Sequence, residues 1–327
     1  MRKIWLPGIT VLFLFLACDN ELNLTAPWKD IPVIYGVISP ADTTHYVRIE
    51  KAFLDPAISA LEIARIPDSL YYDELEAVFV NLATGQRIAL LEVDGADEGY
   101  PRQDGVFAES PNILYKVTAA DANLIPGQRV RLEVTRSDQL PLVTAETNIV
   151  GRPTINRPQA DDNLRFQTNG FYRVLWAAAS GAAFYDVILY VNYNEYNITD
   201  PSDVKSKVVG WKIGGVITGT ELEIPGIEFY KFVGASVEVN SDLRRVFKGI
   251  DLQVRAGGTE LYEFQRVQLA NTGITSAGGD IPQYTNLSEG VGIFSSSNRH
   301  IRLDLELHEE SLDSLISGSF TKQLNFQ

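Results

Sequence analysis

The chain has 327 residues, 45% of them hydrophobic and 10% aromatic, a formal net charge of -14 and one cysteine. This much apolar material can bury the cores of about two domains and excludes a disordered chain. The acidic balance lacks the basic footprint that phosphate backbones require, which excludes nucleic acid as a partner, and a lone cysteine leaves stability to packing rather than to disulfides.

Arg2 and Lys3 followed by the apolar run Ile4 to Leu16 and the small Ala17 read as a secretory signal. The run is too short to span a bilayer as a finished helix. Phe15-Leu16-Ala17-Cys18 resembles the lipobox of bacterial lipoproteins. That resemblance implies that Cys18 becomes the acylated first residue of the mature protein, and several acyl chains give stable attachment to membrane lipid. The competing reading, an ordinary signal with Cys18 left over, would leave an exposed thiol on an exported protein. Asp19 to Asp30 has no period and reads as a tether.

Regular structure is expected from Ile31. Ile31 to Ile38 and His45 to Phe53 are β-branched and aromatic runs split by Ser39-Pro40-Ala41-Asp42, a hairpin-like pair. Leu54 to Leu70 reads as a loop with a helical turn. Strands are predicted again at Leu75 to Leu82, Arg87 to Val93, Leu114 to Ala119, Arg129 to Thr135 and Leu142 to Val150, with turns at Thr84-Gly85 and Pro126-Gly127. Short strands at this spacing predict a β-sandwich over residues 31–151. Gly151, Pro153 and Pro158 interrupt the pattern and mark a boundary.

The second domain, 152–327, opens with predicted strands at Phe171 to Trp176 and Phe184 to Tyr193. Tyr172-Arg173-Val174-Leu175-Trp176 followed by Ala183-Phe184-Tyr185-Asp186-Val187 resembles the second and third strands of fibronectin type III sandwiches, which implies that Trp176 packs inward. A strand carrying Trp211 follows. Phe229, Phe232, Val233 and Val237, then Leu243, Val246 and Phe247, fall at helical spacing and predict a helical insertion over about 228–247. Ile250 to Ala256 reads as strand, and Thr259 as the cap of a helix reaching about Leu269.

Arg299 to His308 alternates strictly. Ile301, Leu303, Leu305 and Leu307 are predicted to share a core face, with His300, Asp304 and His308 on a solvated one. His300 and His308 lie about 26 Å apart along such a strand and cannot share a metal. Leu312, Leu315 and Ile316 predict a short closing helix ended by Gly318. The expected fold class is therefore mainly β, two immunoglobulin or fibronectin III-like sandwiches, the second with inserted helices and a C-terminal helix.

Catalytic signatures are missing from the sequence. It contains no Gly-x-Ser-x-Gly elbow, no phosphate-cradling loop and no His-Glu-x-x-His. Gly290-x-Gly292 is too little for a dinucleotide site and reads as a backbone requirement beside Phe294. No cofactor or resident metal is expected. Asp94, Asp97, Glu98 and Asp104 cluster in one loop, where oxygen ligands for calcium compete with the simpler reading of a solvated loop. That loop and Asn271 to Tyr284 are the candidate binding loops, because long loops on rigid sandwiches commonly carry function.

The lipobox, the strand Val33-Ile34-Tyr35-Gly36-Val37-Ile38, Thr144-Ala145-Glu146-Thr147, and Tyr284-Thr285-Asn286-Leu287 through Gly290-Val291-Gly292-Ile293-Phe294 together resemble an uncharacterised family of Bacteroidota outer-membrane lipoproteins, some encoded beside TonB-dependent transporters. The resemblance implies an outer-membrane location and a transporter or surface complex as partner, and it brings no catalytic residues. Binding or accessory action is the expected function. The alternatives are a glycan-acting hydrolase using paired carboxylates and a structural or adhesive surface protein.

Overall fold

The computed structural model describes residues 31–52, 59–137, 139–271 and 283–327. Cys18, the tether, part of the Leu54 to Leu70 loop and the interior of the Asn271 to Tyr284 loop lie outside the described residues.

The chain is mainly β. Its N-terminal half supplies β1 (Pro32–Ile38), β2 (Thr44–Lys51), the short helices α1 (Ala60–Ile63) and α2 (Pro67–Leu70), β3 (Glu76–Asn81), β4 (Arg87–Ala89), β5 (Leu91–Asp94), β6 (Ile113–Thr118), α3 (Ala119–Ala122), β7 (Arg129–Thr135) and β8 (Val143–Asn148). Its C-terminal half adds β9 (Thr154–Arg157), β10 (Phe171–Ala177), β11 (Phe184–Asn197), β12 (Asp200–Ile217), β13 (Glu221–Pro225), α4 (Gly226–Ser236), β14 (Leu243–Gly257), α5 (Thr259–Asn271), β15 (Val291–Leu305) and α6 (Glu309–Ser317). The turns read from the sequence are where glycine is needed: Gly85 and Gly127 take φ of 74° and 85°.

These strands form one large sheet of order β12-β11-β14-β15-β1-β2-β6-β5, a four-stranded sheet β4-β3-β7-β8 and a three-stranded sheet β13-β10-β9. One core collects Ile34, Val47, Phe79, Leu132, Val134 and Phe294, and the other Trp176, Leu189, Val254, Phe229 and Leu305. Trp176 lies in the second core beside Tyr185, ring centroids 5.4 Å apart. Each large side chain so buried contributes roughly 1.5–3 kcal/mol.

The two sandwiches share a strand. The first half of β15 runs parallel to β1, with Ile34 opposite Gly292. The second half runs antiparallel to β14, with Ala256 opposite Asn298. Phe294 accordingly belongs to one core and Leu305 to the other. At the hand-over the buried Ser296 and Asn298 fasten the connection between the halves: Val150 N–H donates to Ser296 Oγ (3.0 Å), Ser296 Oγ to the Asn148 carbonyl (2.6 Å), and Asn298 Nδ2 to the Val150 carbonyl (3.1 Å). From Ile31 to Gln327 the chain is one compact unit.

Three expectations are corrected. Arg87 to Val93 is not one strand: it breaks at the buried Leu90, β4 pairing with β3 and β5 with β6, so a single run serves two sheets. The helical insertion holds only over α4, because Leu243 to Phe247 continues β14. Spacings of three and four among Leu243, Val246 and Phe247 imitate a helix, whereas the buried member of that stretch is Arg245. In β15 the alternation changes phase. Asp304 takes a left-handed φ of 54°, its N–H donates to Asp251 Oδ1 (3.0 Å), and the register slips between Ile250 and Leu252, so Leu303 is 60% exposed while Leu305 is 1% exposed.

The histidines of that segment are structural rather than solvated. His300 Nδ1 accepts a hydrogen bond from Ile155 N–H (3.0 Å), and His308 caps α6 through its Nδ1.

Candidate functional site

Strand β2 turns Val47 and Ile49 into the core and leaves Tyr46, Arg48 and Glu50 on the opposite face, the ordinary consequence of a two-residue period. The loop after β5 folds back over that face. It begins at Gly95, where a Cβ would lie 2.6 Å from Asn112 Nδ2 and 2.8 Å from the Tyr100 carbonyl, so the chain closes more tightly there than any other residue permits. Asp94 Oδ1 accepts from the Ala96 and Asn112 amides, and Asn112 Nδ2 donates to the Tyr100 carbonyl (2.7 Å).

Two ionic clamps press the loop down. Glu98 accepts from Tyr46 Oη (2.8 Å) and from Lys116 Nζ (2.6 Å) of β6. Lys116 and then Tyr46 hold the Glu98 carboxyl below its ordinary range, and burial followed by Glu98 pushes the Tyr46 hydroxyl up to about 12. Arg102, nearly buried, pairs with Glu50, donates to Tyr71 Oη (3.0 Å) and sits 5.6 Å from the Phe107 ring.

The clamped loop leaves an open groove on each side. One, of about 580 Å³, runs between the loop and the β1–β2 turn, with Asp42, Tyr46, Arg48, Glu98, Tyr100 and Arg299 among its walls. The other, of about 660 Å³, shares Arg48 and Tyr100 and adds Glu50, Arg102 and Phe107. The Tyr46 and Tyr100 rings meet edge to face at 5.2 Å. A third depression of about 530 Å³, lined by Pro40, Ala41, Arg152, Asn298, Arg299 and Ile301, continues the first across Ala41 and Arg299.

Of the acidic residues singled out in the sequence, Glu98 forms a clamp, Asp94 holds the loop's own turn, and Asp97 and Asp104 point into solvent. They do not converge: among the described residues no group of three metal-ligating side chains comes together. Tyr284 lies elsewhere, half-buried beside α5, where burial and then Glu260 and Glu263 raise its hydroxyl pKa. The grooves depend instead on Tyr46, Arg48, Lys116, Arg102 and Arg299. Their polar phase in β2 was readable, but the partner across the loop was not, because only strand register brings Lys116 beside Tyr46.

Residues 23–302 match a family described as a domain of unknown function, DUF4249. The chain belongs to this family. No curated protein matches. Among solved structures, the crystal structure of DIP-gamma IG1+IG2 is similar at 10% identity, covering 83% of this chain and 98% of that one, with a TM-score of 0.18. The C-terminal globular domain of an oligosaccharyltransferase from Pyrococcus abyssi is similar at 13% identity, covering 69% of this chain and 46% of that one, with a TM-score of 0.23. Neither score extends to a shared topology.

His45, at the edge of the first groove, is 3% exposed, and among the described residues neither ring nitrogen has a hydrogen-bond partner. Burial lowers its pKa, against an opposing pull from Asp42; burial, then Arg152 and Arg302, lower that of His300. Both take up a proton less readily in the folded chain than in the unfolded one, which protonates near pH 6.5. Stability is therefore complete above that pH and falls as pH drops below it, by up to about 1.4 kcal/mol per pH unit for His45 and by less for His300, where solvent screens the charge. Urea midpoints at pH 7.5 and 5.5 measure this, and a His45→Gln/His300→Gln variant should show a flatter profile. An unchanged slope would assign the effect to other groups.

Proposed function

We propose that this chain is a lipid-anchored binding protein of the outer membrane, held by an acylated Cys18 and acting as an accessory to a transporter or surface complex, a TonB-dependent transporter being the partner class that the sequence resemblance implies. The observation that carries the binding part is the loop of residues 95–107, clamped by Glu98 and Arg102 so that two open grooves with fixed walls flank it. A site whose walls are held before a ligand arrives loses less ordering entropy on binding. The groove carboxylates favour recognition over proton donation: Asp42 pairs with Arg299, Glu98 with Lys116 and Glu50 with Arg102. A general acid needs a carboxyl whose pKa is raised, and Glu98 is shifted the other way.

A Cys18→Ser variant is expected to leave the membrane fraction, while the unsubstituted chain, solubilised in mild detergent and captured by affinity, is expected to bring an envelope protein with it. Full membrane retention of the variant would refute the anchor, and capture of the chain alone would refute the accessory role.

A further inference from the structure

We propose that the continuous trough formed by the first groove and the Arg152 depression is a binding site for an acidic sugar, a carboxylate on a polar ring held by Arg48, Arg299 and Arg152 with Tyr46 and Tyr100 as platforms. The inference rests on the reading of the first groove as a binding site and adds the chemistry of the ligand.

The two depressions are one feature because both are walled by Ala41 and Arg299. Three guanidinium groups border it. A guanidinium carries five N–H donors, and most of these are unused here. Arg48 reaches Glu50 through one nitrogen at 3.3 Å, Arg299 reaches Asp42 through one nitrogen at 2.6 Å, and Arg152 is exposed with no ion pair or hydrogen bond among the described residues. Along the trough itself three guanidinium groups, Arg48, Arg299 and Arg152, face two carboxylates, Asp42 and Glu98, and Glu98 is already paired with Lys116. A local positive excess in a chain of net charge -14 is self-repulsive unless an anion joins it, and the planar guanidinium fork matches a carboxylate better than any other side chain does.

The rest of the lining is not that of a bare anion site. Tyr46 and Tyr100 present ring surface and hydroxyls, and Thr43 and Thr44 add hydroxyls on the turn. The carboxylates of Asp42 and Glu98 accept hydrogen bonds from ligand hydroxyls. Aromatic surface beside a few placed polar groups is what fixes a small polar ligand in a shallow site.

The test is titration calorimetry of the full mature chain with a trigalacturonate, with the corresponding neutral galactose trimer and citrate as comparisons. The acidic trimer is expected to bind, with affinity falling as salt rises. Arg152→Gln, which breaks no contact in the protein, and Arg299→Gln should each weaken it about tenfold or more, the effect of one lost charge-assisted bond. Arg173→Gln, which loses only an exposed pair with Glu223, should leave it unchanged. Equal binding of the neutral trimer would overturn the role of the arginines. Citrate binding as tightly would overturn the sugar, and no binding of the trimer would overturn the proposal while leaving the Cys18 anchor and the captured partner to stand or fall on their own experiment.

Discussion

Gly292→Ala is expected to abolish the folded protein. A Cβ on Gly292 would lie 1.9 Å from the Ile34 carbonyl oxygen and 2.8 Å from its carbon, and the residue has a φ of 123°. Both obstacles are backbone, so no rotamer change relieves them, and relief requires β1 and β15 to separate where they join the two halves of the sheet. The cost should exceed about 4–5 kcal/mol, the range reserved for a lost structural mechanism. Gly85→Ala is the internal comparison. Gly85 also has a positive φ, 74°, but nothing lies within 4 Å of the place its Cβ would occupy, so only the conformational penalty of about 1–2 kcal/mol applies. Soluble yield and urea unfolding of the two variants measure the difference; equal stability would mean that β1 and β15 do not approach as described.

Arg245→Ala should be the most costly loss of a side chain in the C-terminal half. The Arg245 guanidinium is 1% exposed, donates to the carbonyls of Leu324 (2.6 Å) and Glu238 (2.9 Å), and lies 3.4 Å from Glu195. Its main chain also bonds to Asn325 and Gln327. Truncation leaves two carbonyls and a carboxylate without their cation, and breaking a buried charged network in this way costs about 3–5 kcal/mol. For a chain of this size that is a fall in Tm of about 4–8 °C. Arg245→Lys should recover only part of it, since one ammonium cannot reach three acceptors in a fork. Thermal unfolding of both variants checks the order, and a lysine variant as stable as the parent would show that charge alone matters there.

Much of the strand layout was legible from period and turns. β1 and β2 around Ser39 to Asp42, the turns at Gly85 and Gly127, Trp176 in the core, α5 from Thr259 and the close approach at Gly290 and Gly292 all follow from local chemistry that tertiary packing did not override. The family's uncharacterised status also agrees with the resemblance drawn from the sequence. What was hidden depends on pairing between residues far apart. Nothing near Val291 announces that it faces Val33, and the phase change at Asp304 goes with a register slip against β14, a strand distant in sequence. Arg245 was unreadable for a different reason: a buried cation is recognised only by the carbonyls that surround it, and those of Glu238 and Leu324 come together only in the fold. The site followed the same rule. The loop from Asp94 to Asp104 was visible as polar and Gly-rich, yet two of its acids, Asp94 and Glu98, hold the loop in place, and the groove's cations come from strands and loops far apart in sequence, so no local pattern marks them.

The strand shared by the two sandwiches bears on the order in which the molecule can be completed. As a chain is made from its N-terminus, β1 is produced early, yet the neighbour that covers one of its edges comes from residues 291–296. Until then the first core also lacks Phe294, which packs against Phe79 at 6.3 Å. Pairings so distant in sequence form slowly, and the N-terminal half carries an open edge throughout that wait. The arrangement makes the early half depend on the late one: a chain cut short anywhere before β15 has an unfinished first core and an uncovered strand, so the N-terminal half closes only once β15 has been made.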